Sequence, residues 1–571
     1  MLYLTTVNSE GSDRGRMSAF VRGATDDEKV TRFVAGGIVS ILGFMAGGVF
    51  QTAWFICTTR ILGARDMGIF GPIFSFFMTG ASLVSLGVPQ TTTTYVSHHF
   101  ETDPEESKKF VCDGMKLLMI LSAAVLVLGA GGAGALFAAK RLDALSLALW
   151  MTISFSIIVS VLFWGVNGTI NGYQRLDYVA IGNIAFPVGM FASTLTFMLL
   201  AQAAFGKEST WDVVGAASGM GVGPLFGLAA ALVMFRRMNV MPASRLFSLS
   251  GYHGLFGKIL VFGGLSAVAM VSNTVLLNFS SATVGATAKL GWLAETADEN
   301  LRQAGYFSTG FFFAMVPMLI MGLTFALVPA ISEAEARKRH DLMQKYYNLA
   351  LKYSFGIIIL FLGFYGVKIG QLVELISGPE YPAEAMASVT MALSFGGAMF
   401  SLIFLMTTLF IGLKRPHIPA IINIAALTVC IGGIFFLAYL FRHVLAATAA
   451  VIAAGAFGAV ALFITADRRF GLKFPWWALL IPVGAALPPW FICLFLLPRG
   501  EAFFIVAALA YFTINVILYI VFGGYDSEDL QMFRETVESM RMGFAVRILN
   551  GVESFARRSP FFEWYKRRGG E

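Results

Sequence analysis

The chain has 571 residues, 57% hydrophobic and only 13% charged, with a formal net charge of +7 and a mean hydropathy of +0.73. Soluble domains carry about 25% charged residues, so this composition excludes an ordinary soluble protein. Uncharged runs of 18 or more residues, the mark of transmembrane helices, recur from end to end.

Residues 1–32 are polar and carry Asp26, Asp27 and Glu28. They are expected to form a cytoplasmic segment and not a signal peptide, which would open on a basic stretch followed directly by an apolar one. Charges then cut the chain into fourteen uncharged runs: 33–59, 67–100, 117–139, 144–174, 178–206, 213–235, 259–288, 303–332, 353–367, 385–413, 416–441, 443–466, 474–498 and 502–525. Each is expected to form a transmembrane helix of an all-α membrane protein. The ninth is short, but Lys352 and Lys368 bracket it and can snorkel to opposite interfaces. The stretch "TTRILGARDMGIF" (58–70) parts the first run from the second, which places Arg60 and Arg65 at a water interface.

Fourteen spans return both termini to one side. That side holds 31 of the 41 lysines and arginines, and the other side holds ten. The positive-inside rule makes the termini cytoplasmic in a plasma membrane and puts Arg60 at the outer end of the first span. The segments between spans are too short to fold a catalytic domain. In the tail, 526–571, apolar residues from Leu530 to Phe555 recur at three- and four-residue steps. This predicts an amphipathic helix capped by Ser527 and lying on the basic membrane face, with a partner-binding helix as the alternative.

The spans repeat. Runs eight to eleven start at 303, 353, 385 and 416, and trail runs two to five, which start at 67, 117, 144 and 178, by 236 to 241 residues. "NGYQRLDYVAIGNIA" (171–185) aligns with "IGLKRPHIPAIINIA" (411–425), pairing Gly172 with Gly412, Arg175 with Arg415 and Asn183 with Asn423. "GIFGPIFSFFM" (68–78) aligns with "GYFSTGFFFAM" (305–315). An even repeat keeps its orientation, so two six-helix lobes, 33–235 and 259–466, are related by an axis along the membrane normal. Transporters with parallel repeats bind substrate between the lobes. Residues 474–525 add two helices outside the repeat.

Polar residues inside the spans are the candidate lining. In run four, Ser156, Ser160, Asn167, Asn171 and Gln174 share one helical face, and in run seven Ser266, Asn273 and Ser280 do. Either stripe could line a polar path between the lobes or hydrogen-bond neighbouring helices. Gln51 lies mid-span in the first run. The candidate cations are Arg60, then Lys116 and Lys352, which hold equivalent places in the two lobes, and the paired Arg175 and Arg415. Back-bonding to the helix is expected of Thr91–Thr94. The cysteines Cys57, Cys112, Cys430 and Cys493 lie far apart without metal-ligand spacing and read as small apolar residues.

"TRILGARDMGIF" resembles the step after the first helix in polysaccharide flippases of the multidrug/oligosaccharidyl-lipid/polysaccharide exporter superfamily, with Met67 standing where an aromatic is usual. "SGPEY" (377–381) and "GLKRP" (412–416) are similar to later elements of that family, and the likeness covers roughly residues 33 to 470. The resemblance implies a transporter that moves a polyprenyl-diphosphate-linked glycan between leaflets. Its partners would be that glycan, membrane lipids and glycan-assembly enzymes, with no nucleic acid and no cofactor. Lipid II flippases and cation-coupled drug exporters share the fold and are the alternatives. The drug exporters generally use intramembrane carboxylates, and here no Asp or Glu lies inside any of the runs. The adjacent acidic pairs Asp26–Asp27 and Glu105–Glu106 read as solvated loop charge rather than glycosyltransferase chemistry. "GLFGKI" (254–259) lacks the glycine spacing and hydroxyl of a nucleotide-binding loop.

Overall fold

The computed structural model describes residues 26–100, 103–206, 211–248, 254–315, 321–378, 381–495, 503–525, 529–531, 534 and 543–558; for 26–41, 265–267, 270–279, 321–326, 543–546 and a few single positions it describes the backbone alone. The described residues are helical, with no strand among them. In order the helices are α1 Asp26–Ser85, α2 Val88–His99, α3 Pro104–Ala138, α4 Ala144–Gly172, α5 Leu176–Phe205, α6 Trp211–Arg237, the short α7 Ala243–Leu246, α8 Phe256–Lys289, α9 Ala297–Ala314, α10 Met321–Ala336, α11 His340–Ser377, α12 Ala383–Gly412, α13 His417–Phe441, α14 Val444–Phe470, α15 Trp476–Phe495, α16 Phe504–Val521 and α17 Gly543–Ala556. Among the described residues, eleven helices are long and apolar enough to cross a membrane.

Helix α1 is a hairpin in disguise. Gly63 sits inside it at φ 65 and ψ 178, a conformation that a residue with a Cβ rarely adopts. The Trp54 and Phe74 rings stand on either side of this bend with centroids 5.8 Å apart. A straight helix would separate them by about 30 Å, so the two halves fold back on each other. One glycine therefore accommodates the first two apolar runs.

The repeat is visible at the level of single hydrogen bonds. At the α4–α5 turn Gln174 takes φ 57, and Arg175 N donates to Ile170 O (3.3 Å). At the α12–α13 turn Lys414 takes φ 56, and Arg415 N donates to Phe410 O (2.8 Å). Asn167 Nδ2 donates to Asn183 Oδ1 (3.1 Å), joining α4 to α5. One repeat later Asn423 Nδ2 donates to Thr407 Oγ1 (3.2 Å), joining α13 to α12. Packing follows the same plan: α1 lies on α5 and α4 on α6 in the first lobe, as α8 lies on α13 and α12 on α14 in the second.

The two lobes have separate cores, and α9 and α11 belong to both. Phe307 and Phe311 of α9 pack into the second lobe, whereas Tyr306, Phe312 and Phe313 pack into the first. Tyr346 and Phe355 of α11 join the second core, while Phe364, Tyr365 and Ile369 join the first. Helices α15 and α16 dock on α11 by aromatic insertion. Gly363 leaves room for the Tyr511 hydroxyl, and Trp490 Nε1 fills the space over Gly366.

Helices begin and end outside the uncharged runs, which corrects the picture of acidic residues confined to loops. Helix α3 starts at Pro104, well before residue 117, and so carries Asp113 and Lys116 inside the bundle, 0% and 4% exposed. Asp212 at the start of α6 is likewise buried and accepts from Gln202 Nε2 at 3.1 Å. Three of the four threonines behave as expected: Thr91, Thr92 and Thr93 donate to the carbonyls of Gly87, Val88 and Pro89, whereas the buried Thr94 hydroxyl makes no such bond. In the tail α17 is helical and Ala556 and Leu530 are buried; Ser527 lies outside the described residues.

Candidate functional site: the seam between the lobes

The α2–α3 and α4–α5 connections meet at one bundle end, where the Phe100 and Tyr173 rings are 6.5 Å apart; with the α12–α13 turn they carry Lys108, Lys109, Arg175, Lys414 and Arg415, and this end is called here the basic end. At the opposite end the seam is closed by α1 against α9 and α11. Leu301 O stands where a Cβ on Gly68 would lie, and Ala64 O where a Cβ on Gly305 would lie. These glycines are partners in the repeat, so the pseudo-symmetry axis runs through their crossing. Beneath the crossing an aromatic layer fills the seam. Phe55 stacks on Phe312 (4.8 Å between centroids), and Trp54 meets Phe312 edge-on (5.5 Å). The Trp54 indole is held by a hydrogen bond to Thr194 Oγ1 (3.0 Å), and Tyr365 Oη donates to Phe313 O (3.1 Å).

Arg60 stands above this layer and reaches across the seam. Its Nε donates to Ile376 O (3.0 Å) and its Nη2 to Leu375 O (2.5 Å), the last carbonyls of α11. Those carbonyls have no intrahelical donor and form the negative end of the helix dipole, so a guanidinium satisfies both hydrogen bonding and charge. A second link, Arg65 to Asp298 at 3.6 Å, is exposed on both sides and contributes little energy, of order 0–1 kcal/mol. Arg60 therefore acts between the lobes in this conformation.

At the basic end the seam is tied by Asp113. Its Oδ2 accepts from Leu255 N (3.2 Å), just ahead of α8, and its Oδ1 lies 3.6 Å from Lys116 Nζ. Lys116 is buried, and its ammonium makes no hydrogen bond in the structure. The repeat-related Lys352 is also buried but differently satisfied. It donates to Asp529 of the tail, which also accepts from Tyr353 Oη (2.8 Å), and Trp477 lies 5.8 Å from the ammonium. Neither Asp113 nor Asp529 was expected to matter. Asp113 had a signal, its i, i+3 spacing to Lys116, whereas Asp529 had none.

The polar stripes divide. Ser156, Ser160, Asn167 and Asn171 of α4 are all buried, as a common face requires. Ser156 donates to Thr152 O (2.7 Å) and packs at Gly221 of α6, and Asn167 bonds Asn183 of α5, so that face is turned into its own lobe. Gln174 forms the α4–α5 turn, and Gln51 is half-buried on α1. On α8 Ser280 is buried, and its neighbour Ser281 lies 2.9 Å from Ser308 Oγ of α9. Ser266 and Asn273 belong to the same helix, and their side chains lie outside the described residues. Among the described residues no cluster of three His, Cys, Asp or Glu could hold a metal ion.

Solved structures with this arrangement are all-helical transporters. A multidrug-resistance MATE family transporter of the MOP superfamily, outward-facing, superposes with a TM-score of 0.60 at 15% identity over 79% of this chain and 97% of that one. The lipid II flippase MurJ in an inward closed conformation gives 0.57 at 13% identity over 84% and 98%. A MATE protein in a straight conformation gives 0.56 at 16% over 81% and 97%. At such identities the likeness shows the fold. No curated protein matches the sequence. The family described as polysaccharide biosynthesis protein matches residues 33–333, more than half of the chain, and the chain belongs to that family of multi-pass membrane proteins.

Proposed function

We propose that the protein is a flippase. It carries a polyprenyl-diphosphate-linked oligosaccharide or polysaccharide repeat unit from the inner to the outer leaflet of the plasma membrane by alternating access. The observation that supports this most is the seam: two repeated lobes joined by groups that can separate, with Arg60 bridging them through hydrogen bonds to bare helix-end carbonyls. A diphosphate headgroup cannot cross about 30 Å of hydrocarbon bare and needs a polar, cationic route. Arg60, Lys116 and Lys352 are the cations offered to it, with Gln51, Ser266, Asn273 and Ser280 as neutral lining; Asn167, Asn171 and Gln174 contribute by holding the first lobe in shape. In this reading residues 33–235 and 259–466 are the moving lobes, 474–525 an accessory pair, and 1–32 and 526–571 cytoplasmic.

Deleting the protein should strand its lipid-linked glycan on the inner leaflet. Arg60→Glu should stop surface delivery by at least about tenfold while leaving membrane insertion intact, since a carboxylate repels both phosphate and carbonyl oxygens. Surface glycan measured by lectin binding, with protein abundance as control, decides the matter. Normal delivery by Arg60→Glu removes Arg60 from the mechanism.

The orientation has its own check. Cysteines introduced near 245, 340 and 470 should resist a membrane-impermeant maleimide added from outside, and cysteines near 140, 290 and 500 should react. Outside labelling near 340 shows the orientation to be wrong.

The buried carboxylates Asp113 and Asp212 favour a second reading, cation-coupled drug export, because such groups can carry a coupling ion. Asp113 is already engaged by Leu255 N and Lys116, which weighs against it. If deletion leaves the glycan at the surface and sensitises cells to cationic dyes, the exporter reading replaces the flippase.

A further inference from the structure

Two turns of one backbone geometry carry opposite electrostatics. In the α4–α5 turn Arg175 lies 4.0 Å over the Tyr178 ring and forks onto Asp177, Nε to Oδ1 at 3.1 Å and Nη2 to Oδ2 at 3.0 Å. The α10–α11 connection neutralises its arginine the same way, Arg339 onto Asp341 at 2.9 and 2.7 Å. In the α12–α13 turn, Asp177 is replaced by His417, and Lys414 precedes Arg415. All three side chains are exposed, and among the described residues none of them is paired with a carboxylate.

The turn is firmly seated. Ser332 Oγ of α10 donates to Gly412 O (3.1 Å), and Leu413 and Ile418 on either side are buried. It also faces the other lobe, because α10, which holds the turn through Ser332, packs against α2, whose last residues are His98 and His99. The His98 and His99 rings are 4.6 Å apart, and Tyr95 one turn earlier meets Phe262 of α8 edge-on at 5.4 Å. The patch thus straddles the seam at the basic end, beside the N-terminus of α13, whose free amide groups add positive potential.

We propose that Lys414, Arg415 and His417, with His98 and His99, form an entry site that takes the diphosphate of a polyprenyl-diphosphate-linked substrate at the inner membrane face. The inference rests on the flippase reading. A diphosphate concentrates its charge at headgroup depth, and an arginine fork free of an internal carboxylate can bind it bidentately. Orienting the chain does not account for the pattern. The positive-inside rule counts lysines and arginines and is nearly blind to aspartate, so Asp177 and His417 are equivalent for topology. They differ only towards an anion.

The test uses the full-length protein in phosphatidylcholine nanodiscs, with undecaprenyl diphosphate as the probe and native mass spectrometry as the readout. His417→Asp copies into the second lobe the pair that occupies Arg175, and an acidic residue at the start of α13 suits the helix dipole. It should weaken binding roughly five- to tenfold, as should Arg415→Gln, while Arg339→Gln, which removes the same charge from an arginine already neutralised by Asp341, should leave binding unchanged. Wild-type affinity in both His417→Asp and Arg415→Gln overturns the entry site and leaves the flippase standing. An equal loss in Arg339→Gln, or displacement of the probe by phosphatidylglycerol at equal concentration, also overturns it, by showing a general charge effect. A wild-type protein that binds no undecaprenyl diphosphate overturns the flippase reading and the entry site together.

Discussion

Lys352→Ala should destabilise the protein by about 3–5 kcal/mol, the usual cost of removing one partner from a buried ion pair. The pair is among the most enclosed in the molecule, with side chains 1% and 0% exposed. After truncation Asp529 would lose the ammonium that balances its charge, and neutral donors such as the Tyr353 hydroxyl do not replace a counter-ion for a buried carboxylate. The midpoint of thermal unfolding in detergent and protease sensitivity of the tail should both report the loss. The double variant Lys352→Met, Asp529→Leu should recover most of it, because apolar replacement of a buried pair is often neutral. A single variant within 1 kcal/mol of wild type would show that the pair is not enclosed in the membrane. A stable double variant that fails to deliver glycan would instead assign Lys352 to the substrate, the role its kinship with Lys116 suggests.

Gly305→Ala should shift the protein away from the conformation described here. The new methyl group would overlap Ala64 O, a backbone atom that cannot turn aside, and overpacking of this kind costs about 1–3 kcal/mol. The contact closes the seam in this structure, so under alternating access the penalty is expected to fall on the closed state. A difference of that size changes a conformer ratio by about 5–150-fold. A cysteine at Phe312, 8% exposed in the aromatic layer, should then become reactive to an impermeant reagent from outside. Glycan delivery should fall in parallel, since a transporter held open at one end cannot cycle. Gly68→Ala should act alike, as its repeat partner. Unchanged reactivity at position 312 in both variants would mean that the crossing does not move.

Much of this architecture was legible in charge spacing alone. Long apolar runs bounded by arginine and lysine became helices, and the "NGYQRLDYVAIGNIA" and "IGLKRPHIPAIINIA" segments proved to share a turn down to individual hydrogen bonds. The shared face of the α4 stripe was equally readable, because helical periodicity fixes which residues are neighbours. What covers that face was not. Asn167 meets Asn183 through the packing of α5, a tertiary fact that no period encodes. Helix ends misled in a consistent direction. A buried helix continues past the last apolar residue wherever a partner satisfies the charge, so Asp113 entered the bundle although it lies outside every uncharged run. Arg60 stands out in the sequence as a charge between apolar runs, yet its partners are the carbonyl oxygens of residues 375 and 376, which are invisible in a string of side chains.

The link between Lys352 and Asp529 also sets a schedule for biogenesis. The two residues are 177 positions apart, and the lysine is made first. At about 5–20 residues per second, the bilayer must tolerate an unneutralised ammonium for roughly 9–35 s while the remaining helices emerge. Completion of α11 therefore waits until residue 529 has been made, and a message cut short before it yields chains that insert yet never mature. Quality-control proteases that survey membrane proteins would meet such chains with the docking place of the tail still empty, beside Trp477 and the end of α16.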